Sequence, residues 1–341
     1  MAAGLFADRR VSVPPEAQTS FFGRSFISVD QIQSSNEVNQ LFEMADVMAK
    51  VTESNGVYRP LVGYGVTELF YEASTRTSLS FEAAAKRLGA KVHVRDGMGM
   101  FSSVTKGESL QDTIHAACQT TGNDLIVLRH KEDRSSEVAA KIAARYGVPI
   151  INAGSGSLEH PTQALLDLYT IKRLVGRTER LKVMMVGDLL YGRTIKSLAK
   201  LLAIMDPQVE LVFASPQELA APADFVEDIS SRVGSVEETD EFLSALPEAD
   251  VVYWTRVQKE RFPLGQEELY DRVKDQFIFR REHIELMKEH SILMHPLPRV
   301  NEIDYAVDKD PHGAYFRQMR SGLYIRMALM HEILLGHQIV A

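Results

Sequence analysis

Cysteine is almost absent. Cys118 is the only one in 341 residues, so the chain can form neither an internal disulfide nor a cysteine-based zinc site. That fits a reducing compartment, and the cytoplasm is the expected one. Long apolar runs are missing too: none approaches the ~18 residues of a membrane-spanning helix. Basic charge is in deficit, with 38 Lys+Arg against 46 Asp+Glu and a net charge of -8. This argues against nucleic acid or an anionic membrane surface as partner, but a single pocket can still be locally positive. The phosphate loop G-x-x-x-x-G-K-[ST], the dinucleotide fingerprint G-x-G-x-x-G after a strand, the hydrolase elbow G-x-S-x-G and the metalloprotease motif H-E-x-x-H do not occur. Gly187-Asp188 is the nearest approach to a dinucleotide turn, and His331-Glu332 to His337 has the wrong spacing for zinc. Residues 1–20 have no apolar core after Arg9-Arg10, which argues against a secretory or twin-arginine signal; residues 1–23 are expected to be a flexible tail.

What is present is an alternation of short apolar runs and helical patterns, with no internal repeat. A chain of this length favours two domains over one, since single cores stop growing near ~250–300 residues. The apolar runs predict strands at Thr67–Tyr71, Lys91–Val94, Asp124–Leu128, Pro149–Asn152, Lys182–Val186, Glu210–Ala214, Asp250–Trp254 and Ser291–Met294. Helical spacing predicts helices such as Pro161–Val175, with proline at its first position and Gly176 as its stop, and Thr194–Met205. Strands alternating with helices imply an α/β fold: two doubly wound domains with mainly parallel sheets of about four strands each, linked by helices. The helix from Pro161 is placed as a connector between them, the apolar segment Leu323 to Leu335 as a helix packed back onto one domain, and Trp254 in the core.

The polar residues fall in a pattern. Ser74-Thr75-Arg76-Thr77, Arg129-His130, His160 with Gln163, Arg193, Arg256 with Gln258, and His295 to Arg299 each follow a predicted strand. Taken singly, such an arginine is most often a solvated loop charge and a histidine before proline a helix cap. Taken together, they predict one cleft, because ligands of open α/β sheets bind outside the carboxyl ends of the strands. Ser74-Thr75-Arg76-Thr77 stands where a helix begins, and unpaired N–H groups there favour phosphate. Simple N-capping by Ser74 or Thr75 accounts for one hydroxyl, but not for Arg76 and two more. His160 stands at the positive end of the helix from Pro161, so it is expected to be neutral and to donate a hydrogen bond to a carbonyl. Gln163 lies one turn on.

These segments resemble the carbamoyltransferase family over about Arg24 to the C-terminus. "FYEASTRTSLSFEAAAKRLGA" resembles its carbamoyl-phosphate motif, and "NAGSGSLEHPTQALLDLYTI" its H-P-x-Q motif. "MMVGDLLYGRTIKSL", "VVYWTRVQKERF" and "ILMHPLPRVNEI" are similar to the aspartate branch; ornithine enzymes typically carry H-C-L-P at His295-Pro296-Leu297-Pro298. The resemblance implies carbamoyl transfer from carbamoyl phosphate to L-aspartate in pyrimidine biosynthesis, with no cofactor and no metal. It assigns the phosphate to Ser74, Thr75, Arg76 and Thr77, and the phosphate and carbonyl together to Arg129. The carbonyl falls to His160, the carbamoyl nitrogen to Gln163, and the aspartate carboxylates to Arg193, Arg256 and Gln258. Backbone carbonyls of Leu297 and Pro298 face the reacting groups. "FSSVTKGESLQDT" resembles a mobile loop that lends Ser102 (with Ser103 as the alternative) and Lys106 to the neighbouring subunit, which implies a homotrimer with shared sites. The resemblance also implies a carbamoyl-phosphate domain at 24–158, completed by a C-terminal helix within 305–341, and an aspartate domain at 159–304. Regulatory chains and other pathway enzymes are left open as partners. An ornithine enzyme is disfavoured because a cationic side chain would not be placed beside Arg256. A dehydrogenase lacks its glycine fingerprint, and a silent binding paralogue would have no need of every motif residue.

Overall fold

The computed structural model describes residues 19–101, 103–263 and 265–338. Nine strands form two wholly parallel sheets among these residues. The first contains β1 (Gly65–Phe70), β2 (Lys91–Asp96), β3 (Leu125–His130) and β4 (Ile150–Ser155) in the order β2-β1-β3-β4. The second contains β5 (Lys182–Val186), β6 (Glu210–Ala214), β7 (Ser235–Thr239), β8 (Val251–Trp254) and β9 (Ile292–Met294) in the order β7-β6-β5-β8-β9. The helices are α1 (Ser35–Glu53), α2 (Thr75–Arg87), α3 (Met98–Phe101), α4 (Leu110–Thr120), α5 (Ser135–Ala143), α6 (Pro161–Val175), α7 (Arg193–Met205), α8 (Ala223–Ser230), α9 (Phe242–Ala245), α10 (Glu267–Val273) and α11 (Tyr315–Leu335).

Each expected strand is present, and several boundaries move. β3 and β4 run further than their apolar cores, so Arg129, His130 and Ser155 belong to strands rather than to the loops beyond. The second sheet has five strands rather than about four. The additional one, β7, reads "SVEET" at an exposed edge and has no apolar run to mark it. α6 spans the expected residues, with Pro161 at its start and Gly176 in the left-handed conformation at its end. α11 starts eight residues before Leu323 and packs on α1, α2 and α6.

α6 ties the halves together. It follows the last strand of the first sheet, precedes the first strand of the second, and lies between α7 and α11. Pro161 through Ile171 are all buried, which is more than one apolar stripe supplies, so the helix is enclosed on every side over its first three turns. One continuous apolar cluster runs through it, from Phe42 and Phe81 on one side to Leu198 and Phe213 on the other. Trp254 is fully buried in a second cluster, with Phe242 and Phe279 edge-on to it.

Strand order sets where a ligand can sit. In the first sheet the chain reverses its lateral progression between β1 and β3, and in the second between β5 and β8. Adjacent connections diverge at such a switch point and leave a crevice at the strands' carboxyl ends. The backbone there is tight. Gly187, just after β5, has φ +109°, and a Cβ on it would lie 2.3 Å from the Thr255 carbonyl oxygen at the end of β8. Gly187→Ala is therefore expected to destabilise the protein by about 2 kcal/mol or more, through backbone strain and steric displacement together. Denaturant unfolding of parent and variant measures this, and an unchanged midpoint would refute the steric reading.

Candidate active site

A cleft of about 930 Å³ opens between the carboxyl ends of the two sheets. Ser74, Thr75, Arg76, Thr77, Arg129, His160, Gln163, Arg193, Arg256, Gln258, Leu297 and Pro298 all line it. Lys106 does not: it is exposed, at the end of a short turn of 3-10 helix, Ser103–Lys106. Ser102 lies outside the described residues.

The start of α2 is not an ordinary cap. Ser74 holds the N-cap position at φ -153°, but its hydroxyl makes no capping bond to the backbone. It donates instead to Thr77 Oγ1 at 3.0 Å. The amides of the first turn, which have no intrahelical acceptor, thus remain uncapped by Ser74 in residues that line the cleft. Arg76 stands in that first turn, and Arg193 opens α7. Neither helix has an acid in its first turn. A cation at the positive end of a helix opposes the macrodipole, so local helix stability does not account for these arginines; an anion between them would.

Cations crowd the cleft. Arg76 is held below the usual arginine range, first by burial and then by Arg129 and Arg256. Arg193 is lowered to about 10, first by burial and then by Arg129. Partial compensation comes from residues the sequence reading passed over. Glu72 pairs with Arg129 Nη2 at 3.2 Å and stands 3.9 Å from Arg193 Nη1. The Gly156 carbonyl accepts from Arg193 Nη1 and, at 3.0 Å, from Arg261 Nη2. Glu260 pairs with Arg256. Glu72 lies two residues before Ser74 and Arg261 five after Arg256, so both were inside quoted motifs. Only their partners across the cleft mark them as site residues.

His160 is the N-cap of α6, with φ -136° and Pro161 following. It is 5% exposed, and its buried Nδ1 has no hydrogen-bond partner. Burial, then Arg193, Arg129 and Arg326, hold its pKa well below the ordinary histidine value, in the direction expected for a neutral imidazole. Gln163 donates from Nε2 to Asp167 Oδ1 at 2.8 Å, which leaves its Oε1 to accept from a ligand N–H. Leu297 has φ +56° and a cis bond to Pro298; its N–H donates to His295 Nδ1 at 2.8 Å, and His295 Nε2 donates to Glu302 at 2.8 Å. The turn is thereby fixed by an unprotonated Nδ1. In the second sheet Asp188 accepts from the N–H of Tyr191 at 2.9 Å and of Gln258 at 3.1 Å, joining the loops after β5 and β8 that carry Arg193 and Arg256. The arrangement can hold a phosphoryl group at the start of α2, polarise a carbonyl with Arg129 and a neutral histidine, and receive carboxylates at Arg193 and Arg256.

Comparison with known proteins agrees with this chemistry. Residues 24–173 match the family model "Aspartate/ornithine carbamoyltransferase, carbamoyl-P binding domain", and residues 179–333 match "Aspartate/ornithine carbamoyltransferase, Asp/Orn binding domain". The chain is 46% identical over 299 residues to the aspartate carbamoyltransferase catalytic subunit of Methanocaldococcus jannaschii, covering 86% of this chain and 94% of that one. It is 45% identical over 300 residues to the chloroplastic aspartate carbamoyltransferase 2 of Pisum sativum, covering 88% and 76%. Among solved structures, aspartate transcarbamoylase of Trypanosoma cruzi in complex with carbamoyl phosphate and aspartate superposes with a TM-score of 0.86 at 36% identity, covering 94% of this chain and 99% of that one.

The environment of His160 makes a direct prediction. Its imidazole is expected to stay neutral down to pH values well below the ordinary midpoint of ~6.5. Histidine-resolved NMR, with His160→Gln to assign the resonance, checks this; a midpoint at or above the ordinary one would contradict the geometry.

Proposed function

The chain belongs to the aspartate/ornithine carbamoyltransferase family, and on that premise we propose a reaction and a role for each residue of the cleft. It transfers the carbamoyl group of carbamoyl phosphate to the α-amine of L-aspartate, giving N-carbamoyl-L-aspartate and phosphate, a step of pyrimidine synthesis. One observation carries the choice of aspartate: Arg193, Arg256 and Gln258 line the same cleft as the Ser74–Thr77 helix start. Two carboxylates are answered there by two arginines, where the side-chain ammonium of ornithine would meet Arg256.

Ser74, Thr75, Arg76 and Thr77 hold the phosphate at the amides of α2, and Arg129 spans phosphate and carbonyl oxygen. The amine attacks the carbamoyl carbon, the C–N bond forms and charge gathers on the carbonyl oxygen. Thr77, Arg129 and His160 donate to that oxygen; a preorganised donor of this kind contributes roughly 2.7–4 kcal/mol. The C–O bond to phosphate then breaks, and the departing phosphate takes the proton shed by the amine. Gln163 Oε1 accepts from the carbamoyl nitrogen, and the carbonyls of Leu297 and Pro298 receive the N–H groups of the reactants. Fixing two anions in attack geometry supplies up to about 7–11 kcal/mol of the barrier reduction.

Lys106 and Ser102 act in the site of the adjacent subunit of a homotrimer. The exposure of Lys106 away from its own chain's cleft supports this. The functional units are 24–158 with 305–341 for carbamoyl phosphate and 159–304 for aspartate. Residues 19–23, expected as the end of a flexible tail, are instead held to the fold: Phe21 is buried edge-on to Phe26 and the Gly23 N–H donates to the Ile333 carbonyl at 2.9 Å. The single cysteine supports a cytoplasmic location. Among the described residues no helix is long and apolar enough to cross a membrane.

Carbamoylaspartate is expected from carbamoyl phosphate with aspartate, and no citrulline with ornithine; a reversed preference would overturn the assignment. His160→Ala should lower kcat by about 10²–10³-fold. Lys106→Ala and His160→Ala proteins, mixed and allowed to exchange subunits, should regain roughly a quarter of parental activity, because in random trimers one site in four draws both residues intact. No recovery would exclude a shared site.

A further inference from the structure

Beneath the cleft, where no substrate reaches, one carboxylate collects three donors. Asp167 is fully buried on α6. Its Oδ1 accepts from Gln163 Nε2 at 2.8 Å and Gln318 Nε2 at 2.6 Å, and its Oδ2 from the Tyr253 hydroxyl at 2.7 Å. These donors come from α6, α11 and β8, so the connecting helix, the C-terminal helix and the second sheet meet at one side chain. Two of the three lead back into the cleft. Gln163 lines it directly. Gln318 accepts the His295 N–H on Oε1 at 2.9 Å, and His295 Nδ1 holds the Leu297 N–H at 2.8 Å.

An amide side chain has one accepting and one donating end, and the group behind it decides which end faces forward. An ionised carboxylate only accepts. It therefore turns the Gln163 NH2 inward and leaves Oε1 for a substrate N–H. A donor or an apolar group in its place would free Gln163 to rotate and present NH2 to an NH2. The same carboxylate holds Gln318 with Oε1 toward His295. From this connectivity we infer that Asp167 is a positioning residue of the reaction: its carboxylate sets the polarity of Gln163 and, through Gln318, the placement of the His295–Pro298 turn. The inference rests on the carbamoyl-transfer reading above.

The charge state of Asp167 is the point of leverage. Burial raises it to about 7, against the lowering effect of bonds from Tyr253, Gln318 and Gln163 and of the buried Arg326 on α11. Arg326 is in turn influenced by Glu68 on β1, whose carboxyl is pushed up to about 8 by burial first and by Glu82 second. His160, on the cleft side, is held neutral. The orienting form of Asp167 is the ionised one, so kcat should fall as pH drops through about 7.

Steady-state kinetics with carbamoyl phosphate and aspartate from pH 5.5 to 9 test this on the parent, Asp167→Ala, Asp167→Asn and Tyr253→Phe. Asp167→Ala should lower kcat about 10²-fold, the scale of a displaced positioning group, with KM for aspartate little changed. Asp167→Asn mimics the protonated acid, a weaker acceptor that carries donor hydrogens, so kcat should sit near the parent's low-pH value throughout and the acid limb should flatten. Tyr253→Phe removes one oxygen and one donor, so the limb should move upward by roughly one pH unit. A parent profile without an acid limb near 7, or limbs unmoved in Asp167→Asn and Tyr253→Phe, would overturn the inference even if Asp167→Ala failed to fold. A parent that makes no carbamoylaspartate would instead remove the reaction reading on which it rests.

Discussion

The constraint on which the structure turns is like-charge crowding. Arg76, Arg129, Arg193, Arg256 and Arg261 line one partly enclosed cleft. Two unit charges 4 Å apart repel by about 4 kcal/mol at an effective dielectric constant of 20. Helix ends that carry a positive dipole add to the burden. The fold answers with a small set of acceptors: Glu72 against Arg129 in its own half and Arg193 in the other, the Gly156 carbonyl against Arg193 and Arg261, and Glu260 against its loop neighbour Arg256. Arginines of the second half are thus met partly by acceptors of the first. A site under this strain is preorganised for anions, because substrate oxygens supply the negative charge that the protein withholds.

The same crowding governs protonation. A histidine buried among arginines is neutral whether or not it touches them, so His160 can donate only through the nitrogen that carries its single proton. Deeper in, where the arginines thin out, the buried carboxyls Glu68 and Asp167 are pushed up by burial, with the buried Arg326 near both. Asp167 collects three donors, whereas the oxygens of Glu68 are buried without a hydrogen-bond partner among the described residues. The contrast explains why Asp167 can orient neighbours and Glu68 cannot.

Much of this was legible in the chain. Parallel α/β architecture follows from apolar runs alternating with helical spacing, and α6 could be read to its last residue because proline and glycine mark its ends. β7 could not, since an exposed edge strand has no apolar face to declare it. The position of Ser74 predicted a helix cap or a phosphate cradle, and only the coordinates show its hydroxyl turned to Thr77 rather than to the backbone. Glu72, Arg261 and Gln318 gave no signal, because an isolated charge or amide has no meaning until its partner is known.

The division has a physical cause. Periodicity, capping residues and motif chemistry are local, encoded within a few residues, and they suffice for the fold class and for the strand ends that meet at one cationic cleft. Lateral strand order, convergence of loops from two sheets and hydrogen bonds between residues 86 or 151 positions apart are non-local. Only the tertiary structure could decide that β1 lies beside β3 and β5 beside β8, opening the crevices at those ends. It alone brings Tyr253 and Gln318 to Asp167, because chain entropy allows many partners for a buried carboxylate and packing selects one set.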